Sequence, residues 1–151
     1  MSFPGRPRRL EGFPYDRPGP VFHVRIGCLD RKPLFSNPKL AQAAVDALRF
    51  YGQSRINLFA YCIMPDHIHV LMALRQEQDS LGRWVADFKR WLGKFDVQFQ
   101  PGFFEHVLRK QEKLAVVARY IVGNPIRAGL MAPGKPWPWA GIMGDCEQGD
   151  G

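Results

Sequence analysis

The chain has 151 residues, enough for one domain with a hydrophobic core, and no apolar run reaches the ~20 residues that span a bilayer. Its content of 46% hydrophobic residues excludes a disordered chain. The formal charge of +7 favours a polyanionic partner such as nucleic acid, although a basic composition alone does not prove one.

The N-terminal segment is basic and rich in proline. Residues 1–20 hold five prolines and four arginines with little apolar periodicity, which predicts an extended arm. Three of these arginines are candidate DNA contacts: Arg6, Arg8 and Arg9. No apolar segment follows them, so we expect no secretory signal, no membrane partner and a cytoplasmic protein.

Hydrophobic periodicity predicts the remaining elements. Strands are expected over 21–30, 56–63, 67–74 and 103–109, and helices over 38–52, 81–95 and about 111–123. Asn37 is a good helix cap before Pro38, while Pro65 interrupts an apolar run and predicts a tight connection between two strands. The end of the chain is rich in Pro, Gly and Trp, so we expect a domain over 21–131 and an irregular tail over 132–151.

This order of elements predicts the fold class. Strand, helix, strand, strand, helix, strand, helix fits an α+β protein with a ferredoxin-like split βαβ antiparallel sheet and an added C-terminal helix. Two helices would cover one face of the sheet. Alternate residues of a strand point the same way, so His67 and His69 would share the other face, where the added helix could place Tyr120 and Asn124.

Those four residues form the candidate site. If His67, His69 and Asn124 converge on a divalent cation, the phenolic oxygen of Tyr120 can attack a DNA phosphodiester that the cation orients. Imidazole and amide ligands with open positions suit Mg²⁺ or Mn²⁺, although imidazole also binds zinc. Each residue has a plainer interpretation, because a strand histidine such as His23 is more often packed and a helical tyrosine more often lies in a core.

The motifs that contain these residues resemble a known family. Tyr61–Met72 resembles the "Y-x-I-M-P-N-H-x-H-x-L" signature of the HUH single-tyrosine transposases. Tyr120–Leu130 resembles the "R-Y-I-x-x-N-P-V-R-A-G-L" segment of their REP-associated tyrosine transposase branch. Shorter resemblances extend the match in order from about residue 20 to 140: Val21–Val24, Lys32–Phe35, Gly102–Arg109 and Pro136–Trp139.

The resemblance implies a fold and a reaction. It implies the ferredoxin-like fold, with Tyr120 as nucleophile, His67 and His69 as metal ligands, and Asn124 at the position of the family's polar third ligand. It also implies metal-dependent cleavage and rejoining of single-stranded DNA beside a hairpin, through a 5′-phosphotyrosine. Relatives act as monomers or homodimers, and both remain open for this chain.

Several assignments stay open at this stage. Asp66 stands where the family usually has Asn, and we favour a turn role over a contribution to cation binding. Four more basic residues are candidate DNA contacts: Arg31, Lys89, Arg90 and Arg127. Arg127 has an alternative role beside a helix end or a carboxylate. The main functional alternative is a domesticated protein that binds hairpins without efficient cleavage; a replication or relaxation nickase is a third interpretation, although such enzymes usually carry extra domains.

Overall fold

The computed structural model describes residues 19–109 and 112–144. Its strands are β1 Val21–Gly27, β2 Ile56–Met64, β3 His67–Leu74, β4 Phe104–Val107 and β5 Ala140–Ile142. Its helices are α1 Pro38–Gly52, α2 Leu81–Gly93, α3 Leu114–Val122 and α4 Asn124–Arg127, with 3-10 turns at Leu29–Arg31 and Leu34–Ser36. The strands of this described part form one antiparallel sheet in the order β4-β1-β3-β2-β5. The predicted α+β, ferredoxin-like fold is confirmed.

Helices α1 and α2 pack on one face of the sheet, and each begins at a side-chain cap. The Asn37 side chain accepts a hydrogen bond from the backbone N–H of Lys39 at 3.0 Å, and Pro38 opens α1. The Ser80 hydroxyl accepts from the backbone N–H of Arg83 at 3.1 Å at the start of α2. Local side chains therefore fix where these helices start.

The first strand is shorter than predicted. It ends at Gly27 instead of continuing to residue 30. Cys28 makes only an isolated bridge to Phe99, and Asp30 adopts a positive φ of 54°. Positive φ at a non-glycine residue is incompatible with an extended strand, so the strand cannot continue through Asp30. The chain instead makes two 3-10 turns before α1.

The hairpin of β2 and β3 sets the two faces of the sheet. Its strands pair from Ile56 opposite Leu74 to Met64 opposite His67, with a register shift between Leu58 and Ala60. The extra residue of this bulge lets Phe59 and Ala60 both contribute to the same side of the sheet.

Each face carries its own hydrophobic cluster. The first cluster joins the sheet to α1 and α2, and Trp84 stacks on Phe88 within it at a centroid distance of 5.5 Å. The second cluster joins the opposite face to α3, with Leu71, Leu114 and Ile121 among its members. Of the helices in the described ranges, none is long and apolar enough to cross a membrane.

The C-terminal segment is ordered where an irregular tail was predicted. Ala140–Ile142 pairs with β2, and the indole Nε1 of Trp137 donates to the carbonyl of Ile63 at 2.9 Å. A side chain at Gly141 would lie 3.0 Å from the Tyr61 hydroxyl oxygen, so glycine allows this close pairing. The prediction was wrong for 137–143 because main-chain and indole hydrogen bonds to a distant strand leave no periodic signal. Residues 1–18, which include most of the predicted basic arm, and 145–151 lie outside the described residues.

An ion-pair network beside the sheet allows a stability prediction. Arg55 donates to Asp79 at 2.8 Å and to Asp87 at 2.6 Å, and these side chains are mostly sheltered from solvent. We expect Arg55→Ala to lower the free energy of unfolding at pH 7 by about 2 kcal/mol, because it leaves a sheltered carboxylate without its partner. Urea denaturation would measure the change. Arg83→Ala is the control expected to change little, because the Arg83 side chain is 63% exposed and lies 3.9 Å from Asp79.

The effect of Arg55→Ala should depend on pH. The hydrogen bond from Arg55 lowers the pKa of Asp79 despite the opposing effect of burial. The stabilisation from this lowered pKa is complete above the ordinary carboxyl pKa of ~3.9 and is lost as the pH falls through the folded value. The difference in stability between wild type and variant should therefore narrow below about pH 4. If the stability difference between wild type and Arg55→Ala at pH 3 equals that at pH 7, the Asp79 carboxylate is not the source of the stabilisation.

Candidate active site

Two histidines share the sheet face that α1 and α2 leave free. His67 opens β3 and His69 follows two residues later, while Ile68 and Val70 between and after them point into the first cluster. His69 lies between Arg25 on β1 and Cys62 on β2 in the pairing of the strands. The strand period therefore places both imidazoles on one face, in the arrangement that the sequence predicts.

The two imidazoles face each other through one nitrogen each. The Nε2 atoms of His67 and His69 lie 3.1 Å apart. The second nitrogen of each ring has its own partner: Nδ1 of His67 lies 2.6 Å from Oδ1 of Asp66, and Nδ1 of His69 lies 2.9 Å from Nε2 of His23. Both rings are therefore held from behind, with their Nε2 atoms directed at a common point.

The electrostatics keep these histidines neutral near pH 7. Burial lowers the pKa of His67 more than the hydrogen bond to Asp66 raises it. Burial, with the charges of His67, His23 and neighbouring arginines, lowers the pKa of His69 to about 3. A neutral imidazole keeps a lone pair on one nitrogen, which is the form that binds a metal.

The partners of the two rings suit a cation site. When Nδ1 of His67 donates to Asp66 and Nδ1 of His69 donates to His23, both Nε2 lone pairs point at each other and repel unless a cation lies between them. His23 can also donate, which gives an alternative arrangement with a hydrogen bond between the two Nε2 atoms. The two Nε2 atoms can thus bind a divalent metal, and without a metal they can form a hydrogen bond with each other.

Asp66 contacts the histidine as well as closing the turn. Its backbone carbonyl accepts from the N–H of Cys28 at 2.9 Å, as any residue could, but its carboxylate lies against His67. Burial raises the pKa of Asp66, yet the hydrogen bond and charge of His67, together with Arg31, bring it below its ordinary value. The structure therefore gives this side chain an orienting contact that the turn interpretation did not include.

The predicted nucleophile lies on α3, which packs on the same face of the sheet. Tyr120 is 60% exposed at the end of this helix, and the guanidinium of Arg127 lies 3.8 Å from the centre of its ring. Arg127 also donates to the Tyr120 carbonyl and, at 3.0 Å, to the amide oxygen of Asn124. Because the charge of Arg127 helps to lower the pKa of His69, this cluster lies near the histidine pair.

Both polar atoms of the Asn124 side chain already have hydrogen-bond partners in α3 and α4. Its amide nitrogen donates to the carbonyl of Ile121 at 2.9 Å, and its oxygen accepts from Arg127. Among the residues that the structure describes, no group of three or more His, Cys, Asp or Glu side chains could hold a metal. The structure thus pairs His67 with His69, and Asn124 would have to release Arg127 before its oxygen could join them.

The other predicted DNA contacts differ in whether their charged groups already have partners within the fold. Arg31 is exposed and lies 3.6 Å from Asp66, at the margin of the site. The ammonium of Lys89 donates to the carbonyls of Gln100 and Gly102, and Arg90 donates to Asp87. The last two are therefore occupied within the fold. Arg6, Arg8 and Arg9 lie outside the described residues.

Two site residues were missed by the sequence analysis. The contact of His23 with His69 joins residues 46 positions apart, which no local pattern shows. Arg25 follows two residues later on β1 and shares the face of the site. Its signal in the sequence is an arginine at an alternate position of an otherwise apolar strand.

A neighbouring thiol is not a competing ligand or nucleophile. Cys62 lies opposite His69 and belongs to the second hydrophobic cluster. Burial raises the pKa of this thiol to about 12, so it stays protonated. The nucleophile candidate on this face remains Tyr120.

Comparisons with known proteins agree with the fold and the motifs. The chain is 34% identical to a putative REP-associated tyrosine transposase of Haemophilus influenzae, across 58% of this chain and 60% of that protein. It is 26% identical to the REP-associated tyrosine transposase of Escherichia coli, across 60% of this chain and 56% of that protein. The chain thus spans less than two thirds of the length of these curated relatives. No protein-family model matches it.

A solved structure shares the fold. It is a REP-associated tyrosine transposase bound to a REP hairpin, with a TM-score of 0.66, 19% sequence identity, and coverage of 81% of this chain and 76% of the other. The fold therefore places this chain in the class of ferredoxin-like α+β proteins. The chain is similar in sequence to REP-associated tyrosine transposases, and the resemblance predicted from its motifs is confirmed.

Proposed function

We propose that this protein is a transposase-like enzyme that binds single-stranded DNA beside a hairpin and cleaves and rejoins it through a tyrosine. The observation that carries the proposal is the pair of Nε2 atoms of His67 and His69, 3.1 Å apart, on the sheet face on which the helix of Tyr120 packs. The names of the relatives support the same class of function.

His67 and His69 would hold a divalent metal, Mg²⁺ or Mn²⁺, through their Nε2 atoms. The bound metal would supply Lewis-acid polarisation of a non-bridging phosphate oxygen. Asp66 and His23 orient the two ligands from behind, which is the usual arrangement around metal-binding histidines. Asn124 would add an amide oxygen after its hydrogen bond with Arg127 is exchanged for one between Arg127 and the DNA.

Tyr120 would carry the covalent step. The phenol would lose its proton as its oxygen forms a bond to phosphorus. The bond from phosphorus to the 3′ oxygen would break, and that oxygen would take up a proton and leave as a 3′-hydroxyl. The product is a 5′-phosphotyrosine that conserves the bond energy for rejoining. Exposure of the side chain supports this role, since a nucleophile must reach a macromolecular substrate.

A covalent adduct tests the proposal. The protein would be incubated with labelled single-stranded hairpin DNA from its own flanking sequence, with Mg²⁺ or Mn²⁺, and run on denaturing gels. We expect a protein–DNA band that chelator abolishes, and a tryptic peptide carrying the nucleotide on Tyr120. Hairpin binding without an adduct, with both metals and several hairpins, would instead support the domesticated binding protein.

Asp66 provides a matched test of the metal site. Asp66→Asn keeps the size and the hydrogen-bond acceptor but removes the charge that faces Nδ1 of His67. We expect the affinity for Mn²⁺, measured by isothermal titration calorimetry, to fall about ten-fold. Asp46→Asn, on an exposed part of α1, is the control. Equal Mn²⁺ affinity in wild type and Asp66→Asn would leave Asp66 with the turn role alone.

A further inference from the structure

Among the described residues, helix α3 covers only part of the sheet face that carries the histidines. Helix α3 packs over β2 and over the end of β3 near Leu71 and Ala73. Toward the other end of the strands the face runs from His69 across to Arg25 on β1 and on to Phe104 on β4, because these residues are direct partners in the strand pairing. Arg25 and Phe104 are both exposed.

Arg25 is a cation on β1, a central strand of the sheet. No hydrogen bond or ion pair of its guanidinium exists within 19–109 and 112–144. Its charge nevertheless acts on both His67 and His69, which places it beside the pair. Arg55 and Arg75, by contrast, are bonded to carboxylates or carbonyls of the fold. Arg25 therefore remains available for an anion from outside.

Phe104 adds an aromatic face next to this cation. It is 69% exposed, the largest fraction among the large hydrophobic side chains of the described residues. The loop before it is held by the ammonium of Lys89, which donates to the carbonyls of Gln100 and Gly102. The loop is thus anchored just before an exposed aromatic side chain.

We propose that Arg25 and Phe104 form a binding subsite for the single-stranded DNA that adjoins the cleaved phosphate. This inference rests on the proposed function and names where its substrate lies. Arg25 would bind a backbone phosphate and Phe104 would stack on a base, the combination by which proteins hold single strands. The positive charge of Arg25, next to the proposed metal ligands, favours nucleic acid over an apolar protein surface as the occupant.

Binding measurements on three DNA ligands test the subsite. Fluorescence anisotropy would compare a blunt hairpin, the same hairpin with a single-stranded thymidine flank, and free oligothymidine. We expect Phe104→Ala to weaken binding of the flanked hairpin and of oligothymidine about ten-fold without affecting the blunt hairpin. Phe104→Trp should restore binding. Phe50→Ala, which removes a ring that is 64% exposed on α1, is the matched control.

Arg25→Ala should change the salt dependence of binding. Loss of one phosphate contact lowers the slope of log affinity against log salt by about 0.7 for a single strand, and Arg25→Lys should retain it. Arg83→Ala on α2 is the control for loss of a surface charge. Both Arg25 and Phe104 are exposed, so their variants should keep the wild-type melting temperature.

The outcomes separate this inference from the proposed function. If no adduct forms but the variants lose binding of the flank, the subsite stands and the cleavage proposal fails. If adducts form and both variants bind the flank like wild type, the subsite is overturned. Absence of any single-strand binding by wild type also overturns it, as would gel filtration showing that Phe104→Ala only converts a dimer to a monomer.

Discussion

Replacing Tyr120 with phenylalanine is expected to remove the covalent protein–DNA adduct, with cleavage falling at least about 10³-fold. The substitution deletes one oxygen atom that is the proposed nucleophile. It should leave the fold intact, because the side chain is 60% exposed and its ring can still stack under Arg127. Denaturing gels with labelled hairpin DNA would measure the adduct, and anisotropy would show hairpin affinity close to wild type.

Another tyrosine makes the control specific. Tyr51 lies on α1 and packs edge-on against Trp84 in the first cluster, on the opposite side of the sheet. Tyr51→Phe should form the adduct at the wild-type rate. An adduct that survives in Tyr120→Phe would assign the nucleophile to a different residue, and loss in both variants would indicate a general defect in folding.

The arrangement around Arg127 suggests how DNA would activate the site. In the free protein its guanidinium covers the ring of Tyr120 and occupies the amide oxygen of Asn124. A DNA phosphate is a stronger partner for a guanidinium than a neutral amide, because both groups are charged. If the proposed function is right, phosphate binding would free the Asn124 oxygen from Arg127 at the same time as it brings the substrate to Tyr120.

The sequence predicted the fold and the histidine pair well because both depend on local periodicity. Alternation along β3 is enough to place His67 and His69 on one face, and Pro65 marks the hairpin that precedes them. The resemblance in two motifs then connected this hairpin to the helix of Tyr120. These features need only neighbours in the chain or a known motif.

The contacts that the sequence did not predict are long-range or depend on side-chain direction. His23 on β1 contacts His69 on the neighbouring strand β3, and Lys89 donates to the carbonyls of a loop instead of facing solvent. The pairing of Ala140–Ile142 with β2 rests on main-chain hydrogen bonds and on a glycine that fits beside Tyr61. A one-dimensional pattern records residue types, whereas these interactions depend on which distant strand becomes a neighbour.

The four histidines of the chain offer a graded test of the proposed metal site, since all of them lie on one face of the sheet. His67→Ala and His69→Ala each remove a proposed ligand, and we expect either to lower metal-dependent cleavage about 10²–10³-fold and to abolish detectable Mn²⁺ binding by calorimetry. Hairpin affinity without metal should stay close to wild type, because the proposed role of these histidines is to hold the metal.

Variants of the remaining two histidines test whether a histidine that contacts a proposed ligand matters more for Mn²⁺ binding than one that only lies on the same face. His23 contacts Nδ1 of His69, so His23→Ala should weaken Mn²⁺ binding about ten-fold without abolishing it. His106 pairs with Glu112 at 3.0 Å, so His106→Ala should bind Mn²⁺ like wild type. Equal losses in all four variants would indicate damage to the sheet face as a whole. Unchanged Mn²⁺ affinity in His67→Ala and His69→Ala would place the metal elsewhere and remove the main support for metal-assisted cleavage at this site.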